Sequence, residues 1–167
     1  MPDTGSHMDE NPHGLRLRTM LRPGYGEIYR QLPWGFVAHA GLKHSEYRDA
    51  ISESGIYTLE NYWKRWRTAY TLYNSYLHQS GWANSHVGQI EYTYGKHENT
   101  VSITGSIGRE LTNLGPRGIL ATDLHSLYLS GIQWVHPRFG ITYLLGVQRQ
   151  GDLYTRKGGQ LGLKYLL

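Results

Sequence analysis

The chain contains no cysteine, which excludes a disulfide framework, a thiolate metal site and a cysteine nucleophile. No run approaches the roughly 18 apolar residues of a membrane-spanning helix. Apolar content is 39% and mean hydropathy is −0.53, values that read as soluble for a helical protein. A small barrel escapes that test, because every second residue of its strands faces the lumen and is free to be polar. Phenylalanine is scarce too: 2 Phe stand against 14 Tyr and 5 Trp. Tyr and Trp favour the boundary of an apolar layer, with the ring inside it and the polar tip in water. A tyrosine-rich soluble β protein would show the same counts, so the aromatics alone do not decide.

At 167 residues the chain has the length of one domain, enough for a single core or a single small barrel. The net charge of +4 and pI near 9.3 raise the question of nucleic acid. The basic residues, however, stand singly along alternating segments instead of forming one patch, so no nucleic-acid partner is expected. Gly5-Ser6-His7-Met8 reads as a cloning remnant, and residues 1–13 are set aside as that remnant and a flexible N-terminal segment. Residues 14–167 are expected to form the folded part.

No segment carries a helical period; two-residue alternation broken by turn residues runs through the chain. The last ten residues show it most plainly. Leu161, Leu163, Tyr165 and Leu167 share one face, Gln160, Gly162 and Lys164 the other, as in a closing barrel strand. Val101, Ile103 and Ile107 likewise oppose Thr100, Ser102, Thr104 and Ser106. Near residue 128, Leu124, Tyr128, Ile132 and Trp134 read as one face and Asp123, His125, Gly131 and Gln133 as the other, with Leu127 and Leu129 blurring the pattern. Short connections are expected near 33–34, 64–65, 96–98 and 136–138. Longer ones are expected near 49–54, 79–82, 112–118 and 152–157. Outer-membrane barrels show this asymmetry, with tight periplasmic turns and longer outer loops. Nine strands follow Gly24, and Leu15 to Leu21 supplies a tenth. The expected fold is all-β: a closed, antiparallel, up-and-down transmembrane β-barrel of about 10 strands, with 8 as the alternative.

The face opposite the apolar one is strongly polar. It collects Glu27, His39, Lys43, Glu60, Arg67, Gln89, Glu91, Asp123, His125, Gln148, Gln160 and Lys164. Unpaired charges in an apolar sandwich core would cost several kcal/mol each, whereas a barrel lumen lets them pair with one another and with water. This set favours the membrane barrel. Glu27, His39, Lys43, Glu60, Arg67, Glu91, Asp123, His125 and Lys164 are the candidate lumen network, either plugging the barrel or contacting a polar ligand.

Glu27-Ile28-Tyr29-Arg30-Gln31-Leu32-Pro33-Trp34-Gly35, Ala40-Gly41-Leu42-Lys43-His44, Ile56-Tyr57-Thr58 and Tyr62-Trp63 together resemble the YaiO-like family of outer-membrane barrels. Gly108-Arg109-Glu110-Leu111 and Leu161-Gly162-Leu163-Lys164-Tyr165 fit the same resemblance, which covers about Gly14 to Leu167. It implies an outer-membrane barrel placed near exopolysaccharide export or biofilm systems. It carries no catalytic residues. The chain departs from the family pattern in ending on Leu167 where the assembly signal has an aromatic residue, and family members carry more chain upstream.

The candidate serine-histidine pairs for catalysis are His125-Ser126, Ser85-His86 and His44-Ser45. Adjacent strand residues face opposite ways, so no such pair joins nucleophile to base. Glu91 or Asp123 could orient a histidine from a neighbouring strand. His39, Lys43 and His125 share no metal-ligand spacing, so no catalytic residue, metal or cofactor is expected. A barrel of this size holds side chains or one small ligand, which argues against a polysaccharide conduit. Three readings stand: a monomeric, non-enzymatic barrel accessory to envelope or exopolysaccharide export, a lipid- or lipopolysaccharide-modifying barrel enzyme, and a soluble tyrosine-rich β protein. For the first, the expected partners are outer-membrane lipid, lipopolysaccharide, exopolysaccharide and export-machinery proteins.

Overall fold

The computed structural model describes residues 17–22, 24–47, 50–78, 81–95, 98–113 and 119–166. The expectations for residues 1–13 and for Leu15 and Leu167 fall outside them. Ten strands follow one another: β1 (Leu17–Arg22), β2 (Tyr25–Gln31), β3 (Phe36–Tyr47), β4 (Ala50–Trp63), β5 (Trp66–Leu77), β6 (Gly81–Tyr94), β7 (Asn99–Asn113), β8 (Ile119–His136), β9 (Phe139–Gln150) and β10 (Tyr154–Tyr165). They form one antiparallel up-and-down sheet in sequence order, each strand paired with the next. Among the described residues no ladder joins β1 to β10. No described helix is long and apolar enough to cross a membrane, a test that says nothing about strands.

Connections at one end are tight. Pro33–Gly35 forms a single 3-10 turn between β2 and β3, with Trp34 at φ 60 and Gly35 at φ 77. A Cβ on Gly35 would strike the Tyr62 carbonyl oxygen, so left-handed backbone and a close approach both require glycine there. Lys64 and Arg65 alone join β4 to β5, with Lys64 at φ 54. At the other end the connections are shorter than the sequence pattern implies. Ala50 already pairs with Tyr47, Gly81 with Leu77 and Tyr154 with Gln150. Residues 50–54, 81–82 and 154–157 are therefore strand, not loop. Backbone ladders need no apolar side chains, and polar strand ends such as Ser52-Glu53-Ser54 pair as well as apolar ones. Residues 48–49, 79–80, 96–97 and 114–118 of the expected turns lie outside the described residues.

The sheet has one apolar and one polar face. Ile28, Leu42, Tyr57, Leu59, Ile90, Ile103, Ile107 and Leu127 are all exposed, and Leu161 and Leu163 are 79% and 74% exposed. No large hydrophobic residue is buried among the described residues; besides Gly41 and Gly140, the buried ones are Glu60, Asn99, Ser102, Thr122 and Gln150. This reverses the usual partition of a water-soluble domain. Toward the tight-turn end the apolar face becomes aromatic. Trp63 pairs with Trp66, the Trp66 and Tyr92 ring centroids lie 4.6 Å apart, and Tyr92 stacks on Tyr94 at 6.1 Å.

On β8 the register reverses the expected faces. Ser126 pairs with Ser106 and Gln148, and Ser130 with Ser102, which puts Leu124, Tyr128 and Ile132 on the polar face. Asp123 and His125 turn to the apolar face beside Leu127 and Leu129. The reason is packing against neighbours. Two leucines belong with Ile103 and Leu145, while Tyr128 lies flat over Gly146, where a Cβ would collide with its ring.

Candidate functional site

The polar face is held together by two clusters. In the first, the Tyr25 and Tyr29 hydroxyls both donate to Glu27 Oε2 at 2.6 Å. Alternation along β2 places all three side chains on one face, so one carboxylate gathers the residues on either side of it. His39, opposite Tyr29 on β3, brings Nδ1 to 3.5 Å from Glu27 Oε1 and sets its ring edge-on to Tyr29 at 4.5 Å. His39 Nε2 is buried without a hydrogen-bond partner.

The second cluster crosses four strands. Arg67 on β5 donates from Nη2 to Glu60 Oε1 at 2.6 Å and from Nε to Oε2 at 3.3 Å, a forked ion pair of the strong kind. Tyr62 adds a hydroxyl donor to Glu60 Oε2 at 2.5 Å. Arg67 Nη1 reaches Gln89 Oε1 on β6 at 3.0 Å, and Gln89 Nε2 reaches Ser102 Oγ on β7 at 2.9 Å. The Glu60 side chain is 10% exposed and Arg67 28%, so the pair is shielded and its charges are compensated by several hydrogen bonds. Further along, hydroxyl pairs continue the pattern: Thr58 with Thr71 at 2.9 Å and Ser106 with Ser126 at 2.6 Å. Gln150 Nε2 donates to Thr122 Oγ1 at 3.1 Å.

Of the residues expected in the polar network, Glu27, His39, Glu60 and Arg67 stand on the polar face and in these clusters. Lys43, Glu91 and Lys164 share the face by register but form no ion pair among the described residues; Lys164 Nζ lies 5.7 Å from the Trp134 ring instead. Asp123 and His125 are corrected to the opposite face, where Asp123 sits 3.7 Å from Arg109 Nε. The network is thus built less from salt bridges than from Tyr, Gln, Ser and Thr. Tyr25, Tyr29, Tyr62 and Ser102 were visible as every-second-residue polar positions beside Glu27, Glu60 and Thr100, a signal overshadowed by the charged residues.

The serine-histidine candidates are separated as alternation requires. Ser45, Ser85 and Ser126 take the polar face, and His44, His86 and His125 the apolar one. His86 Nδ1 is 2.6 Å from the Tyr70 hydroxyl, and neither Glu91 nor Asp123 makes an ion pair with a histidine among the described residues. No group of three or more His, Asp or Glu side chains gathers as a metal site among the described residues.

Neither the curated proteins nor the solved structures contain a match to the chain. A family model described as the YaiO membrane beta barrel domain matches residues 22–111, more than half of the chain and the whole of both clusters. With its exposed apolar face and hydrogen-bonded polar face, this chain belongs to the YaiO membrane β-barrel domain family.

Proposed function

We propose that the chain is an integral β-barrel of the bacterial outer membrane, closed by β1 against β10, with the polar face turned inward as a plugged lumen. The observation that carries this reading is the inverted partition: apolar residues cover one exposed face, while the buried side chains are polar. In lipid that face is solvated by acyl chains, and every backbone group is satisfied by the ladders once the edges meet. The aromatic cluster at the tight-turn end marks the periplasmic boundary. From Tyr94 to His86 the strand climbs about 20 Å along the membrane normal, at ~3.3 Å per residue and a tilt of about 40°. That approaches the roughly 25 Å apolar band of outer-membrane barrels.

The Glu27 and Glu60 clusters fill the lumen from both β2–β3 and β4–β7, so the barrel acts as a monomeric anchor or accessory in envelope or exopolysaccharide export and not as a conduit. It carries no catalytic residue. Far-UV circular dichroism with heat-modifiable gel mobility, after refolding with and without detergent micelles, tests the reading. β structure and a mobility shift that appear only with detergent are expected. Cooperative folding in plain buffer would return the polar face to solvent and end the proposal. Planar-bilayer recordings of the refolded chain are expected to show no steady open conductance.

A further inference from the structure

On the apolar face, Gly88 of β6 pairs directly with Gly105 of β7. A Cβ added at Gly88 would meet no atom within 4 Å, and one at Gly105 only the Ser126 carbonyl oxygen at 3.9 Å. Crowding therefore explains neither glycine. The pair leaves a groove two strands wide between large side chains of the apolar face. Tyr70 flanks it beside Gly88 and Leu127 beside Gly105, and Ile90 and Ile103 close it toward the tight turns. The groove extends to Val147 and Arg149.

Its other lip, toward the loop end, is the register row His86, Ile107, His125 and Arg149 across β6 to β9. His125 has no hydrogen bond or ion pair among the described residues. Arg149 donates from Nε to the Gly151 carbonyl and from Nη2 to Asp152 Oδ1, both at 3.0 Å. The Asp152 side chain is 99% exposed and that of Arg149 63%, and a pair so exposed holds the guanidinium weakly. The nearby carboxylates are Asp152 and Asp123, the latter paired with Arg109 at 3.7 Å. An apolar groove topped by an imidazole and an arginine fork matches an acyl chain hanging from a phosphorylated headgroup, whose phosphate a planar guanidinium binds in bidentate fashion.

We propose that this groove seats one acyl chain of lipopolysaccharide, with a phosphate of its lipid A part against His125 and Arg149. The proposal rests on the outer-membrane reading above and on the loop end facing outward. Native mass spectrometry of the full chain refolded in micelles, with hexa-acylated lipid A added, tests it. The wild type is expected to retain one lipid A at activation energies that strip phosphatidylglycerol. Gly88→Leu, which fills the groove, and the double variant His125→Gln with Arg149→Gln are each expected to lose the bound lipid while keeping a heat-modifiable band. Equal retention by the double variant and the wild type, or equal retention of dephosphorylated lipid A, would overturn the site and leave the barrel standing. Should Gly88→Leu fail to refold, the double variant decides, because it leaves the Gly88–Gly105 pair and the apolar walls of the groove unchanged. A wild type that shows no detergent-dependent fold removes the barrel itself, an outcome read on the gel and not in the lipid spectrum.

Discussion

Glu60 shows how a charge can be retained on a shielded surface. It receives two bonds from Arg67 and one from Tyr62, so its carboxylate is compensated without water. Removing one partner of such a pair costs more than removing both, because it strands the other charge. Glu60→Ala leaves Arg67 with Gln89 and the Tyr62 hydroxyl oxygen as its remaining acceptors and the Tyr62 O–H without one. Hydrogen bonds to charged groups are worth ~1.5–3 kcal/mol each, and Arg67 keeps some access to solvent, so a loss of about 2–3 kcal/mol is expected. Glu60→Gln, which retains an acceptor for Tyr62, should lose less, and the double variant Glu60→Ala with Arg67→Met less than Glu60→Ala alone. Urea titration of the refolded chain in micelles measures all three. If the single and double variants were equally destabilised, the charge pair would not be what holds this part of the polar face.

At the scale of the strand, alternation in the sequence locates most faces because one side is almost wholly apolar. Phe36, Ala38, Ala40 and Leu42 against Val37, His39, Gly41 and Lys43 leave a single workable orientation, since a one-residue slip would put His39 and Lys43 in lipid. β8 escapes this logic. Leu124, Leu127, Tyr128, Leu129 and Ile132 put apolar groups on both faces, and orientation is settled by neighbours distant in sequence: Ser106 and Gln148 claim Ser126, and Gly146 makes room for Tyr128. Strand ends were obscure for a related reason. Beyond the apolar band side chains face water, so Ser52-Glu53-Ser54 looks like a loop although its ladder is intact. The reversed face of β8 has a direct consequence. Leu129→Arg places a charge on the apolar face near the middle of the band, where in lipid it costs ~2–4 kcal/mol, whereas Ser130→Arg stands on the polar face beside Ser102. Refolding yield and urea midpoint in lipid vesicles should fall steeply for the first and much less for the second. The opposite ranking would restore the face read from the sequence.

For the molecule as a whole, the decisive question is what lies against the outer edge of β10. Its side chains are exposed almost throughout, and an edge strand left bare in lipid would expose a row of unpaired N–H and C=O groups at several kcal/mol apiece. Ten antiparallel strands in sequence order give β1 and β10 opposite directions, the relation a closing antiparallel ladder requires. Closure would also enclose the polar face, turning the Glu27 and Glu60 clusters toward one another across a lumen with room for side chains and little else. The absence of native cysteine makes this testable without background. A cysteine at position 20, which pairs with Glu27 and so shares the polar-face register, can be combined in turn with one at Gly158, Gln160, Gly162 or Lys164. A disulfide needs Cα atoms about 4.4–6.8 Å apart, so in a closed barrel one or two of these combinations should cross-link on oxidation in micelles and remain heat-modifiable on a non-reducing gel. Cross-linking in none of the four, with the same gels showing a folded chain, would mean that the two edges do not meet and that something other than β1 covers β10.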